Sequence, residues 1–274
     1  MGLLACWGVV PVGPPLWEVV GNDMRGARLD YGNWVSRRLI VSSVVAALLF
    51  FALSLVAAVF LAGAVVFLLA CGYFTYARWK FSPRGGDLQG QIRQLVVDRV
   101  VWDGLGEALD IGCGNGPLVI ALARKFPSAR VIGVDLWGGL WEYSQAACEA
   151  NARGEGVAER VAFRHASASS LPFEDGSFDV VVSNLVFHEV KDTADKTLVV
   201  KEALRVLRNG GCFVFQDLFK LRRLYGGPDD LPRTIREWGV ARVAFVDTGR
   251  SSFIPRALRL PFIVGTLGLL HGVK

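Results

Sequence analysis

A chain of 274 residues that is 52% hydrophobic and 20% charged, with a net charge of +5, is neither disordered nor collagen-like. Its length allows one large domain or one domain with an appendage, and its five scattered cysteines match neither a disulfide scaffold nor a zinc site, which fits a reducing compartment. A mean hydropathy of +0.38 is high for a soluble globule, so either the core is unusually apolar or part of the chain sits in lipid.

Residues 1–35 are rich in Gly, Pro and Trp and carry no period. The opening MGLLAC has Cys6 where a myristoylation signal wants Ser or Thr, so it reads as an ordinary N-terminus. From Ile40 to Tyr76, 37 positions pass without a charge. One straight helix of that length would run about 56 Å, against a hydrocarbon core of about 30 Å. Two spans of about 18 residues, turning near Ala62-Gly63, fit that thickness better; one long tilted span is the alternative. Arg37 and Arg38 before the run, with Arg78 and Lys80 after it, put both ends on the cytoplasmic side and so require an even number of crossings. Trp34, Tyr73, Tyr76 and Trp79 suit interfacial anchors. The expected organisation is an N-terminal segment over 1–37, a membrane anchor over 38–80, a linker over 81–90 built on SPRGGD (82–87), and a domain over 91–274.

Beyond the linker, helix and strand alternate. Leu88–Trp102 carries a helical stripe through Ile92, Leu95, Val96 and Val100. A short apolar run, Ala108–Ile111, leads into the loop Gly112–Gly116, and helical spacing follows from Pro117 to Phe126. Strands are predicted at Arg130–Val134, Val161–Arg164, Asp179–Ser183, Cys212–Gln216 and Ala241–Val246, and helices at Leu140–Ala152, Thr193–Leu207 and Pro228–Glu237. Phe262–Leu270 is too short and glycine-containing for a further span and is read as the last strand. This order implies a doubly wound, mostly parallel sheet with helices on both faces.

In such a sheet ligands bind beyond the carboxyl ends of the strands. The glycine loop lies there, at a helix start with free N–H groups. A dinucleotide fingerprint would need glycine at position 117, where Pro117 stands. Asp110, two residues before the first glycine, can draw in an ammonium group. Asp135, about 20 residues past the loop, can accept from both ribose hydroxyls. These features favour a nucleoside with a charged amino-acid tail.

The runs ALDIGCGNG (108–116), GVDL (133–136), LPFEDGSFD (171–179) and LRVLRNGG (204–211) resemble the ordered motifs of class I S-adenosylmethionine-dependent methyltransferases over residues 90–274. SNLVFHEV (183–190) resembles the fourth-strand motif of the small-molecule and lipid branch, the ubiquinone and menaquinone methyltransferase-like group. The resemblance implies a Rossmann-like α/β fold with a seven-stranded sheet of order 3-2-1-4-5-7-6 and an antiparallel last strand, here preceded by a transmembrane hairpin. It further implies S-adenosylmethionine as cofactor. Asp110, Gly112, Cys113 and Gly114 would line its methionine part, Asp135 would hold the ribose, and Leu136 would pack on adenine. The family's usual acid for the adenine amino group falls at Ser167, beside Ala168, so a backbone contact is expected to replace it. Asn184 and Leu185 would sit near the transferred methyl.

Methyl transfer from a sulfonium is an in-line displacement, which needs alignment first and a general base only for a protonated acceptor. His188 is the candidate base, with a hydrogen-bonding role within its loop as the other reading, and Asp217 either contacts the acceptor or caps the fifth strand. Glu189 orients His188 or faces solvent. Cys113 reads as a packing residue, His165 as a strand end, and no metal set is evident. Lys220, Arg222, Arg223, Arg256 and Arg259 could meet anionic headgroups or simply face water. A charge of +5 spread along the chain speaks against nucleic acid. The expectation is an integral membrane methyltransferase whose catalytic domain lies on the cytoplasmic face, its partners a lipophilic small-molecule acceptor and membrane lipid. A non-catalytic cofactor-binding assembly factor and a nicotinamide-dependent oxidoreductase are the alternatives.

Overall fold

A computed structural model, described over residues 29–138, 143–227 and 229–274, divides the chain into an apolar helical hairpin and a sheet domain. The hairpin helices, α1 (Arg37–Ser54) and α2 (Phe60–Phe81), are each long and apolar enough to cross a membrane. Ser36 begins α1, its hydroxyl accepting from the Arg38 N–H at 3.2 Å, one of the donors that a helix start leaves unpaired. The chain reverses at residues 55–59, so the expected turn at Ala62-Gly63 is corrected: both residues lie inside α2. Gly63 serves packing instead. A Cβ there would stand 2.3 Å from the Phe50 ring, and its absence lets the helices close on each other. Ser43, Ala47 and Ala64 share the buried seam, while Leu48 and Leu69 are 64% and 70% exposed on the outside.

The SPRGGD stretch is not a loose connection. The N–H groups of Gly85 and Asp87 both donate to the Ser82 carbonyl at 3.0 Å, and Asp87 caps α3 (Leu88–Arg99) by accepting from the Gly90 N–H at 3.3 Å. The remaining elements are β1 (Glu107–Ile111), α4 (Pro117–Lys125), β2 (Arg130–Asp135), α5 (Gln145–Gly154), β3 (Val161–His165), β4 (Phe178–Asn184), α6 (Lys196–Arg205), β5 (Leu207–Asp217), α7 (Arg222–Tyr225), α8 (Asp230–Glu237), β6 (Arg242–Val246) and β7 (Gly268–Val273). The early part of the helix expected over 140–152, Pro228, and the N-terminal segment through residue 28 lie outside the described residues.

The seven strands run β3-β2-β1-β4-β5-β7-β6, with β7 antiparallel to both neighbours. One face is covered around Phe178, Val200, Leu204 and Phe213, the other around Val96, Leu118, Val119 and Leu122. The last strand starts later than expected. Residues 261–266 form tight turns in which Gly265 donates to the Leu260 carbonyl at 2.9 Å, and a Cβ there would lie 2.1 Å from the Arg259 carbonyl oxygen. A third core cluster joins Val35, Ala77 and Phe81 at the hairpin foot to Ile92 of α3 and to Ile254, Leu258 and Val264 from the β6–β7 connection. The hairpin is thus fastened to the sheet domain by burial of apolar surface.

Candidate functional site

The sheet ends its parallel strands at one edge, and a cavity of about 1010 Å³ opens there. Ten of the cofactor-site candidates, Asp110, Gly112, Cys113, Gly114, Asp135, Leu136, Ser167, Ala168, Asn184 and Leu185, line it, together with His188. Asp217 does not line it but lies behind His188.

Asp110 sits mid-sheet, paired in register with Gly133 of β2 and Val182 of β4. It is 1% exposed, and among the described residues its Oδ2 finds no hydrogen-bond partner. Burial, with the charge of Asp135 adding to it and that of Arg93 opposing it, pushes its carboxyl up to about 8. A buried carboxyl oxygen left without a partner is costly, and a cationic group in the cavity would relieve it. The loop beside it is shaped by close approach: Gly112 has φ +74, and a Cβ there would stand 2.1 Å from Val186.

Asp135 is pinned at the end of β2. Its Oδ2 accepts from the Gly114 N–H and its Oδ1 from the Trp137 N–H, each at 2.8 Å. Burial raises its pKa and these two N–H groups pull it back. Each oxygen keeps a second lone pair for a hydroxyl. Trp137 also donates its indole N–H to the Gly114 carbonyl at 2.8 Å, locking the glycine loop to the second strand. Cys113 is buried, its thiol held well above the usual range by burial, which fits a packing residue rather than a nucleophile. His165 ends β3 with its ring 6.4 Å from that of Trp137.

On the opposite wall Ser167 replaces the acid that the resemblance implies. Its hydroxyl donates to Asp192 Oδ2 at 2.8 Å and Ser169 donates to the same oxygen at 2.5 Å, so a carboxylate reaches this wall from the segment after β4. The Ser169 and Ser167 hydroxyls hold the Asp192 carboxyl below its usual range.

At the end of β4 the Asn184 side-chain Oδ1 accepts from the Gln216 side-chain amide at 2.9 Å. Leu185 takes φ +61, costly by roughly 1–2 kcal/mol for a side-chain-bearing residue, and its N–H donates to the Gln216 carbonyl at 2.7 Å. His188 follows, its Nδ1 2.7 Å from Asp217 Oδ1. Asp217 is fully buried and accepts also from the backbone N–H groups of Val186, His188 and Leu218. A carboxylate so saturated with donors fixes the ring with Nδ1–H toward it and the lone pair on Nε2. Burial disfavours the imidazolium, but Asp217 outweighs it and the His188 pKa is raised. Glu189 Oε1 stands 3.8 Å from Nε2, near enough to favour the same charged form.

Three contributors escaped the sequence reading. Arg93 of α3 lines the cavity and lies over the Trp34 ring at 5.8 Å. Burial pulls its pKa down while Asp87, Tyr143, Tyr31 and Asp110 act the other way. The strap of residues 30–36 crosses the glycine loop, and its backbone is held by amide side chains that are nearly inaccessible: Asn115 and Asn151 donate to the Asp30 carbonyl at 3.0 and 2.8 Å, and Gln89 donates to the Gly32 carbonyl at 3.0 Å. Tyr31, Trp34 and Val35 from this strap line the cavity. Tyr143, from the segment leading into α5, lies across from the loop, its ring 3.6 Å from where a Gly114 Cβ would be. Asn115, five residues after Asp110, is a sequence signal for the strap that lies inside the loop motif.

Of the basic cluster, Lys220 is held by both Asp247 oxygens at 2.8 Å, and Arg259 donates to the Ile254 and Ser251 carbonyls. Arg222, Arg223 and Arg256 are exposed.

Residues 109–215 match the family described as "Methyltransferase domain". An arsenite methyltransferase of Aquipseudomonas alcaligenes is 38% identical over 122 residues, covering 43% of this chain and 34% of that protein. A demethylmenaquinone methyltransferase of Lactococcus lactis is 36% identical over 104 residues, 38% of each chain. The match thus spans well under half the length of these curated relatives. Among solved structures, a geranyl diphosphate methyltransferase in complex with SAM superposes with a TM-score of 0.53 at 18% identity, covering 73% of this chain and 90% of that one. The [4+2]-cyclase SpnF superposes at 0.51 and 20% identity, covering 68% and 80%. These superpositions establish the fold, and a cyclase among them makes plain that the fold alone does not fix the reaction.

Proposed function

We propose that this protein, which belongs to the class I S-adenosylmethionine-dependent methyltransferases, carries a methyl group to a small lipophilic acceptor at a membrane surface. One observation carries the reading: a single cavity runs from the Asp110 carboxyl, whose Oδ2 has no partner among the described residues, to Trp34, Val35 and Phe81 at the hairpin foot, past the apolar side chains of Leu185 and Leu218.

The residues present fit the cofactor. Asp110 takes the ammonium of its amino-acid end and Arg93, at the same wall, its carboxylate. Asp135 accepts the ribose hydroxyls. Ser167, its hydrogen committed to Asp192 and one lone pair to the Ser169 N–H, keeps a lone pair for the adenine amino group. When bound, S-adenosylmethionine supplies an electrophilic methyl on a sulfonium sulfur. Leu185 and Asn184, held by Gln216, set the wall against which the acceptor aligns, and alignment of this kind lowers the barrier by several kcal/mol. His188 Nε2 takes the acceptor's proton, while Asp217 keeps Nδ1 protonated and steadies the charge that forms. The name of the menaquinone-methylating relative is in keeping with an apolar acceptor. The two apolar helices act as the anchor, holding the site at the interface and raising the local acceptor concentration.

Full-length protein in detergent, incubated with methyl-tritiated S-adenosylmethionine and an organic extract of membranes from its source, tests this reading. Label that partitions into the organic phase and disappears with Asp110→Ala is expected. Label confined to water-soluble compounds or to protein would contradict the lipophilic acceptor.

A further inference from the structure

The acceptor end of the cavity meets the surface between the hairpin foot and the connection from β6 to β7. We propose that Leu260, Pro261 and Phe262 lie in the lipid interface beside α2 and form, with Trp34 and Phe81, a lateral entrance by which an acceptor dissolved in the bilayer reaches the site. This rests on the reading of the hairpin as a membrane anchor.

The height of the connection on the hairpin is fixed by one bond. The Tyr73 hydroxyl donates to the Ala257 carbonyl at 2.9 Å. Tyr73 stands five residues, about 7.5 Å of helix rise, nearer the hairpin tip than Arg78. Side chains on a helix lean toward its N-terminus, which in α2 is the tip. The connection therefore climbs past Arg37, Arg78 and Lys80, the charges that mark the headgroup level.

At that height it presents apolar surface. Leu260 is 37% and Phe262 68% exposed, yet Phe262 and Ile263 also line the cavity. Exposed to water, a Phe at the mouth of a cavity is unfavourable; in the interface its burial is a gain. The segment is held in shape rather than loose, since Ile263 and Gly265 donate to the Leu260 carbonyl at 3.0 and 2.9 Å and Thr266 donates to the Pro261 carbonyl at 3.0 Å. Charge is compatible with an anionic interface: residues 251–264 contain no acid, and Arg256 is exposed.

Photocrosslinking on the full chain tests the proposal. p-Benzoylphenylalanine replaces Phe262, Leu48 on the outer face of the hairpin, or Leu105, which is 63% exposed at the opposite edge of the sheet. Each variant is reconstituted into phosphatidylcholine–phosphatidylglycerol vesicles containing tritiated phosphatidylcholine and irradiated. Lipid labelling at 262 should approach that at 48 and exceed that at 105 by roughly tenfold or more, in line with burial of one aromatic side chain. Labelling at 48 with 262 no higher than 105 would overturn the entrance and leave the anchor standing. No labelling at 48, whatever happens at 262, would overturn the anchor and the entrance with it.

Discussion

Asp110 is where stability and function oppose each other. Its carboxyl, at about 8 in the fold, ionises near the ordinary aspartate value of 3.8 when the chain unfolds. The folded state therefore holds a proton that the unfolded state releases, and the stability this group contributes falls as pH rises from about 4 to about 8. Asp110→Asn removes the titration. In thermal melts without cofactor, the variant should gain on the parent as pH rises from 5 to 8, by about 2–4 °C for each kcal/mol regained in a domain of this size. A melting difference that does not change with pH would refute the burial argument.

His188 makes the opposite kind of prediction. A base must be neutral to act, and Asp217 raises the pKa above which His188 is neutral. The acidic limb of the kcat/KM profile should lie above the ordinary histidine value of 6.5 and move down in Asp217→Asn. His188→Ala should lower the rate by about 10²-fold or more for a protonated acceptor, and cofactor affinity should be unchanged. An unshifted limb in Asp217→Asn would reduce Asp217 to a loop fastener.

At the scale of elements, the strap and the hairpin share one task. Residues 30–36 are bound over the glycine loop by Asn115, Asn151 and Gln89 and run directly into α1. Burying an amide against a backbone carbonyl is worth about 1 kcal/mol, and stranding it costs about 1–3 kcal/mol. Asn151→Ala should therefore weaken S-adenosylhomocysteine binding by roughly fivefold or more, read by calorimetry, although Asn151 is not among the residues lining the cavity. Unchanged affinity would mean that the strap covers the site without supporting it.

The strap was also the least legible element. Strands and the glycine loop announce themselves through apolar runs and glycine spacing, which single out Asp110 and Asp135, whereas the strand order and the placing of Asn184 and Leu185 follow only from the resemblance of the motifs to the methyltransferases. The strap has no period because its hold is through distant side chains onto its backbone, and only Gln89, Asn115 and Asn151 carry that information. Gly63 was misread for a related reason. A glycine in an apolar run marks either a turn or a close approach, and the choice depends on Phe50, thirteen positions earlier. Likewise a backbone contact is what the sequence suggests at Ser167, and the nearness of Asp192, 25 positions away, is not legible there.

For the whole molecule, the fastening of the hairpin foot to the sheet domain couples the placing of the hairpin to the geometry of the cavity. The shared core cluster ties Phe81, Ile92 and Val264 together, so the cavity's apolar end is fixed relative to α2. The claim on which this rests is that the cavity at the strand ends is the cofactor site. Calorimetric titration of the full-length protein with S-adenosylhomocysteine tests it most directly. Binding that weakens by roughly 10- to 100-fold in Asp110→Asn, the value of a charge-assisted hydrogen bond, is the predicted result. Equal binding by parent and variant, or none by the parent, would contradict it.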